Sequence, residues 1–389
     1  MSFLLRAVLF VLTACIYLAC MDDPNPVGGS LLPPSDLPII KIDTMYPSSH
    51  STSAERYSTI PATRLMLGRF QNYESWAFVS FSLPESLRVA VIKIRDAKIQ
   101  LRVNYHFGDS LSPLSFVAHR ALKSLSGDSL TLDSLNAGGY YDPNPVSSPF
   151  NSIIGDTDKI QFSIDTAMVR SWFVNFPDTV SANLGVVLRP TNTNAIKGFM
   201  SFSESNPTAL RPQLIVQYAK GSDTGSVAIS TGGVRFIADI SYQNLVQNLD
   251  LVYVQSGVSY LGFLNFLNTN PIPAKASIHR AQLELTLNRA DSRFNSYTVD
   301  SLVSFFVDAF GVNPLAPTDI SESKVVAGQK VYAFDIQQYI QGWVRGSPDR
   351  SVAIQAYSFR ETLDLFVFYG ENSGAALKPR VVVTYSPTQ

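Results

Sequence analysis

Four histidines, two cysteines and a repeated glutamate are the residues through which this chain could do chemistry. His50, His106, His119 and His279 stand at no metal-ligand spacing, and no His-Glu-x-x-His pair occurs. No Gly-x-Ser-x-Gly elbow and no phosphate-cradling loop is present. The glutamates belong to a phrase that occurs twice. One copy runs from Glu204 through Arg211-Pro212 to Tyr218, the other from Glu371 through Lys378-Pro379 to Tyr385, with identical internal spacing. Two carboxylates facing each other across a cleft could hydrolyse a glycosidic bond. Single glutamates in separate repeats would not share a cleft. Their expected role is an ion pair or turn cap with Arg211 and Lys378, worth at most about 1 kcal/mol if exposed.

Cys15 and Cys20 both lie in an N-terminal leader. Arg6 gives it one positive charge, and Ala7 to Ala19 is almost wholly apolar. That run is shorter than the roughly 20 residues a spanning helix needs, and it has signal-peptide proportions. Leu18-Ala19-Cys20 resembles a bacterial lipobox, so residues 1–20 are expected to be a lipoprotein signal peptide with Cys20 lipidated. Leu12-Thr13-Ala14-Cys15 is the alternative site. The mature chain then has no disulfide and no thiolate metal site. Residues 21–38 are rich in Pro, Gly, Asp and Ser, and are expected to be a flexible tether holding the first domain off the membrane. Asp22-Asp23 resembles the surface-export signals of Bacteroidota lipoproteins, which implies an outer-membrane protein facing the exterior.

The elements that must position any site are strands. Charged residues are 16% of the chain, below the roughly 25% typical of soluble domains, and aromatics are plentiful. A formal charge of −1 without a basic stripe excludes a nucleic-acid partner. Short runs at 66–68, 76–83, 92–104, 115–119, 159–164, 183–189, 198–203 and 213–218 are strand candidates. Alternation is clear from Ala97 to Val103 and from Ala281 to Leu287, so one face is buried and the other wet.

The two halves align. Trp76–Leu83 matches Tyr260–Leu267, and Ile94–Leu101 matches Ile278–Leu285, both at one common offset. Helices are expected over 165–173 and 335–344, each opened by an N-capping Asp and placing Trp172 or Trp343 as a plug in the core. The expectation is an all-β chain of two tandem jelly-roll-like antiparallel sandwiches, each with one short helix, over 39–219 and 226–387. Tyr218 and Tyr385 would mark the domain ends.

The Trp76–Leu83, Ala97–Val103, Ile164–Trp172 and Arg211–Tyr218 segments, and their second-half counterparts ending at Phe334–Trp343 and Lys378–Tyr385, resemble the DNRLRE (disaggregatase-related) modules. That resemblance implies jelly-roll sandwiches on extracellular proteins, some of which bind polysaccharide. A ligand would meet the parts that do not repeat. The candidates are Tyr140, Tyr141, Asp142 and Asn144, in an insertion over 124–158, and Tyr357, Arg360 and Glu361. No cofactor is expected, and a structural calcium finds no clustered Asp/Asn ladder. Asp-Ser and Asp-Thr steps resemble O-glycosylation acceptors, with Ser110, Ser129 and Ser134 as examples. The functional expectation is a non-catalytic surface protein with an adhesion or polysaccharide-binding role, partnered by the membrane through its lipid. A structural subunit pairing with other envelope proteins is the alternative, and a polysaccharide-degrading enzyme ranks below both.

Overall fold

A computed structural model describes residues 39–387 except 55–59, 62–63, 72, 85–91, 124–129, 175–183, 202–207, 241–247, 258–259, 268–270, 295–299, 309–310, 349 and 358–360. The leader, the tether and Cys20 therefore lie outside the described residues, as do Glu204, Arg360 and Ser129.

The chain is all-β, folded as two antiparallel sandwiches. In chain order the strands begin with β1 (Lys41–Met45), β2 (Ser49–Ala54), β3 (Ile60–Pro61), β4 (Arg64–Phe70), β5 (Tyr73–Phe81), β6 (Ile92–Gly108) and β7 (Leu114–Ala121). There follow β8 (Tyr141–Pro145), β9 (Phe150–Ser152), β10 (Lys159–Ser163), β11 (Val186–Pro190), β12 (Ala195–Met200), β13 (Gln213–Lys220) and β14 (Asp223–Ile240). The last are β15 (Leu251–Gln255), β16 (Tyr260–Asn265), β17 (Ser277–Thr286), β18 (Ser301–Asp308), β19 (Gly311–Val326), β20 (Gln329–Asp335), β21 (Ser351–Ala356), β22 (Leu365–Tyr369) and β23 (Arg380–Ser386). All eight first-half strand candidates are present. The long strands β6, β14 and β19 each pair in both sheets of their sandwich and turn its corners.

The expected helices are α2 (Thr166–Val174) and α3 (Gln337–Val344). Asp165 caps α2, its Oδ1 accepting from Ala167 N–H at 2.7 Å, but the N-cap of α3 is Ile336 without a side-chain bond, and Asp335 stands one residue outside it, its Oδ1 accepting from Gln337 N–H at 2.9 Å. Trp172 and Trp343 are buried against Phe81 and Phe266. A further helix, α1 (Leu132–Ala137), lies in the insertion, opened by a Thr131–Ser134 capping box.

The division between the sandwiches differs from the expected one. Tyr218 does not end a domain: β13 continues to Lys220 and turns straight into β14, which pairs with β13 and then with β5. The first sandwich therefore runs to Ile240. Residues 41–54 do not join it. β1 pairs with β23, and β2 with β16, in the second sandwich.

These two departures are one exchange. Gly225 and Ile229 of β14 stand opposite Tyr218 and Leu214. Lys41 and Met45 of β1 stand opposite the equivalent Tyr385 and Val381. The offset from Lys41 to Gly225 is the one that relates Trp76 to Tyr260. Each repeat thus lends its opening strand to the other repeat's sandwich.

Side-chain chemistry explains which strand goes where. In the first sandwich Phe236 packs inward, while Ile237 packs outward with Trp76, Leu132 and Leu135 under the insertion. That slot is apolar on both faces, which the polar run Ser49-His50-Ser51-Thr52-Ser53 could not fill without burying unpaired polar groups. In the second sandwich the same polar run is matched. Tyr253 N–H donates to Thr52 Oγ1 at 3.1 Å and Asn265 Nδ2 to Ser49 Oγ at 3.1 Å. Tyr385 Oη donates to Asp43 Oδ2 at 2.6 Å, and His50 Nδ1 donates to Glu371.

Each sandwich has its own apolar core, and the core of the first extends into strands of the second. β15 and β22 are buried on both faces: Val252, Val254, Phe366 and Phe368 face their own sandwich. Tyr253, Leu365 and Val367 join the core of the first. At this junction Leu363 N–H donates to Tyr105 Oη at 2.9 Å, both groups buried. Tyr105→Phe would leave that donor without its acceptor. We expect a loss of about 1–3 kcal/mol in urea-unfolding stability; an unchanged midpoint would contradict the junction.

Candidate functional site

The insertion is a fixed cover on the outer face of the first sandwich. Leu130, Leu132 and Leu135 bury against Trp76, Phe78 and Val187. Tyr141 meets Trp76 edge-on at 5.6 Å and His119 at 5.1 Å. Tyr140 lies under the Lys123 ammonium at 4.8 Å. The Asp142 carbonyl accepts from His119 Nδ1 at 2.8 Å, while its carboxylate accepts from Asn144 N–H at 2.9 Å and Nδ2 at 3.1 Å. Of the four candidates, the two tyrosines hold the cover down. Asn144 is exposed between the exposed Pro143 and Pro145, on a segment that Asp142 rigidifies. The second candidate set does not assemble in this way. Tyr357 is exposed, and Glu361 is tied into the junction, its carbonyl accepting from Arg64 Nη1 at 2.5 Å.

The repeated charges are also placed differently from expectation. Glu371 pairs with His50 of β2, not with Lys378. Lys378 instead sits 3.8 Å over the Tyr46 ring. A loop ion pair within the phrase lost out because the exchanged strand brings better partners to both ends. Arg211 is half-buried at the entry to β13. Among the expected acceptors, Ser134 is occupied in its capping box and Ser110 is exposed at the β6–β7 turn.

Two polar clusters were not anticipated. Lys197 is fully buried on the outer face of β12, beside His106 of β6. Its ammonium lies 3.4 Å from the Ser110 carbonyl and 3.6 Å from Asp156 Oδ1, to which His106 Nδ1 donates at 2.8 Å. Burial pulls the Lys197 amine below its usual range, against the opposing pull of Asp156. A lone lysine within Ala195-Ile-Lys-Gly-Phe-Met200 was the available signal. The second cluster centres on Asp300, which accepts from Lys330 Nζ at 2.7 Å, Tyr332 Oη and Ser323 Oγ. Burial would raise that carboxyl, but these three donors outweigh it and hold it low. In both clusters the charges are occupied by one another, an arrangement suited to fastening loops. Among the described residues no group of three or more His, Cys, Asp or Glu is placed to hold a metal.

A cavity of about 490 Å³ opens at one end of the second sandwich. Trp343, Ile340 and Val344 of α3 line it, with Ile272 and Pro273 of the preceding turn, Met45 of β1 and Arg350. Glutamines fix α3 in place: Gln341 Oε1 accepts from Ile278 N–H at 3.0 Å, and Gln337 Nε2 donates to the Ile278 carbonyl at 2.9 Å. They meet β17 where its pairing slips by a residue.

No protein-family model matches the sequence, and no curated protein matches it. Among solved structures, a protein of Parabacteroides distasonis described as secreted aligns over 90% of this chain and 100% of its own, at 11% identity and a TM-score of 0.22. The infectious bursal disease virus VP2 subviral particle aligns over 94% and 83%, at 12% identity and a TM-score of 0.15. At these scores neither informs the fold or the function of the chain.

His119 offers a direct test of the cover. Burial lowers its pKa below 6.5, and nearby Arg189 adds to this against the Asp142 bond. The folded form therefore holds a neutral ring. Below about pH 6.5 the unfolded chain binds the proton first, so stability falls as pH drops toward the depressed folded value. His119→Asn keeps a donor for the Asp142 carbonyl and removes the titration. The stability advantage of the native chain over this variant should shrink between pH 7 and pH 5 in urea titrations; parallel profiles would contradict the buried neutral ring.

Proposed function

We propose that the chain is a non-catalytic, lipid-anchored envelope protein facing the cell exterior, with an adhesion or polysaccharide-binding role. The observation that carries this reading is the exposed segment Pro143-Asn144-Pro145 on a cover held rigid by Tyr141, His119 and Asp142. A pre-ordered polar edge on a stable scaffold binds without first having to be ordered. The leader residues up to Cys20, and the resemblance to DNRLRE modules, supply the envelope setting. A non-catalytic role is supported by the way His50, His106 and Asp300 are each taken up by a structural partner.

One observation favours the alternative, a structural subunit. β1 is an edge strand, and Ile39, Ile40 and Ile42 on and before it are 57%, 62% and 68% exposed. An apolar edge suits strand addition by a partner chain.

The test is a glycan array with polysaccharide pull-down, using residues 38–389. Retention that falls with Asn144→Ala supports the reading; no retention on any glycan would sink it. Separately, full-length protein extracted from membranes should carry a lipid mass on Cys20, and an unmodified Cys20 in a soluble product would refute the anchor.

A further inference from the structure

We infer that the side chains of Lys197 and Asp156 condense into an amide, a covalent staple between β12 and the turn that closes the insertion. Asp156 lies in the turn between β9 and β10. That turn is fixed by its own bonds: Gly155 N–H donates to Asp158 Oδ2 at 2.6 Å, and Asp158 N–H to the Gly155 carbonyl at 3.2 Å. Val103 N–H of β6 ties it to the sheet, donating to the Asp158 carbonyl at 2.9 Å. Lys197 stands on a strand paired with both β4 and β6, directly opposite His106. Its nitrogen is 3.6 Å from Asp156 Oδ1. Two groups held together by a fold react as if at very high concentration.

The lysine is poorly served as an ion. It is fully buried, and an ammonium carries three donors. Among the described residues its nitrogen meets the Ser110 carbonyl at 3.4 Å and Asp156. Neither is a close hydrogen bond, and a buried charge with such contacts is unfavourable. Lys330 shows the ordinary arrangement: it meets Asp300 at 2.7 Å with part of its side chain in water. Burial favours the uncharged amine of Lys197, against the pull of Asp156, Asp158 and Asp109, and the uncharged amine is the nucleophile. An amide removes both buried charges and keeps one N–H for the Ser110 carbonyl.

The step needs no oxidant and no added reactant. A proton passes from the Lys197 ammonium to Asp156 Oδ2, leaving an amine and a carboxylic acid. Nζ attacks Cγ while His106 Nδ1–H, bonded to Oδ1 at 2.8 Å, stabilises the charge that develops there. The Cγ–Oδ2 bond then breaks, a second proton leaves Nζ, and Oδ2 departs as water. One C–N bond is formed, one C–O bond is broken and one water is released. The staple encloses β10, α2 and β11 and restricts the unfolded chain as a disulfide would. It fastens the end of the insertion to the sheet and does not rest on the glycan reading.

The experiment is intact-mass spectrometry of the chain from residue 21 onward, folded at neutral pH and denatured for measurement. The mass should fall one water short of the sequence mass. Proteolysis should give one branched peptide joining the segment with Asp156 to the segment with Lys197. Lys197→Arg keeps a cation but forms no amide, and should carry its full sequence mass. His106→Ala should slow bond formation about a hundredfold, the usual effect of losing one oxyanion donor, read as the fraction of lighter chain over time after synthesis. The inference is overturned if the folded native chain carries its full sequence mass. It is equally overturned if the missing water maps to another pair of residues or persists in Lys197→Arg. Formation at the native rate in His106→Ala would overturn the role given to His106.

Discussion

The fold depends on the pairing of residues 41–54 with the last and central strands of the second sandwich. Without it β23 would be an open edge, and β16 would lose a neighbour. With it, the chain begins in the second sandwich, leaves to build the whole of the first, and returns at Leu251. The first sandwich is thus inserted into the second and joined to it at two points. The reciprocal partner of this exchange is β14, which closes the first sandwich as β1 and β2 close the second. What assigns each strand is the number of its faces that are buried. The slot beneath the insertion takes Phe236 and Ile237, whereas the slot beside β16 takes a polar run with bonded hydroxyls.

This arrangement bears on the proposed site and on the cavity beside Trp343. The packed junction fixes one sandwich against the other, with Tyr253, Leu365 and Val367 turned into the core of the first and their neighbours into that of the second. The cover rests on the face that β14 completes, so the Asn144 segment inherits the rigidity of that sheet. The cavity beside Trp343 uses Met45 of the other exchanged strand as a wall. The cover therefore stands on a strand supplied by the opposite repeat, and the same holds for the cavity wall at Met45.

Much of the fold was legible because its causes are local. Alternation marked β6 and β17, Asp165 marked the start of α2, and the repeated tryptophans lie in the cores as expected. The exchange was not legible, because β1 meets a partner at the opposite end of the chain and nothing in Lys41–Met45 names that partner. The domain end expected at Tyr218 is instead the approach to a hairpin turn. Leu251-Val-Tyr-Val254 and Leu365-Phe-Val-Phe368 carried a readable sign, a continuous apolar run, which marks a strand buried on both faces and hence a junction. The candidate site residues were half legible. The insertion was correctly singled out as the non-repeating part, but Tyr140 and Tyr141 proved to face the sheet beneath it. Glu371 found His50, a partner that only the exchanged strand could bring.

The reciprocal exchange can be tested by one engineered cross-link. Thr44 of β1 stands directly opposite Val382 of β23, and directly opposed Cα atoms in an antiparallel pair are about 4.5–5.5 Å apart, within disulfide range. The chain from residue 21 onward has no cysteine of its own. With Thr44→Cys and Val382→Cys it should form an intramolecular disulfide under mild oxidation, seen by mass spectrometry as a monomer linking the two peptides. Free thiols, or a disulfide found only between chains, would contradict the account.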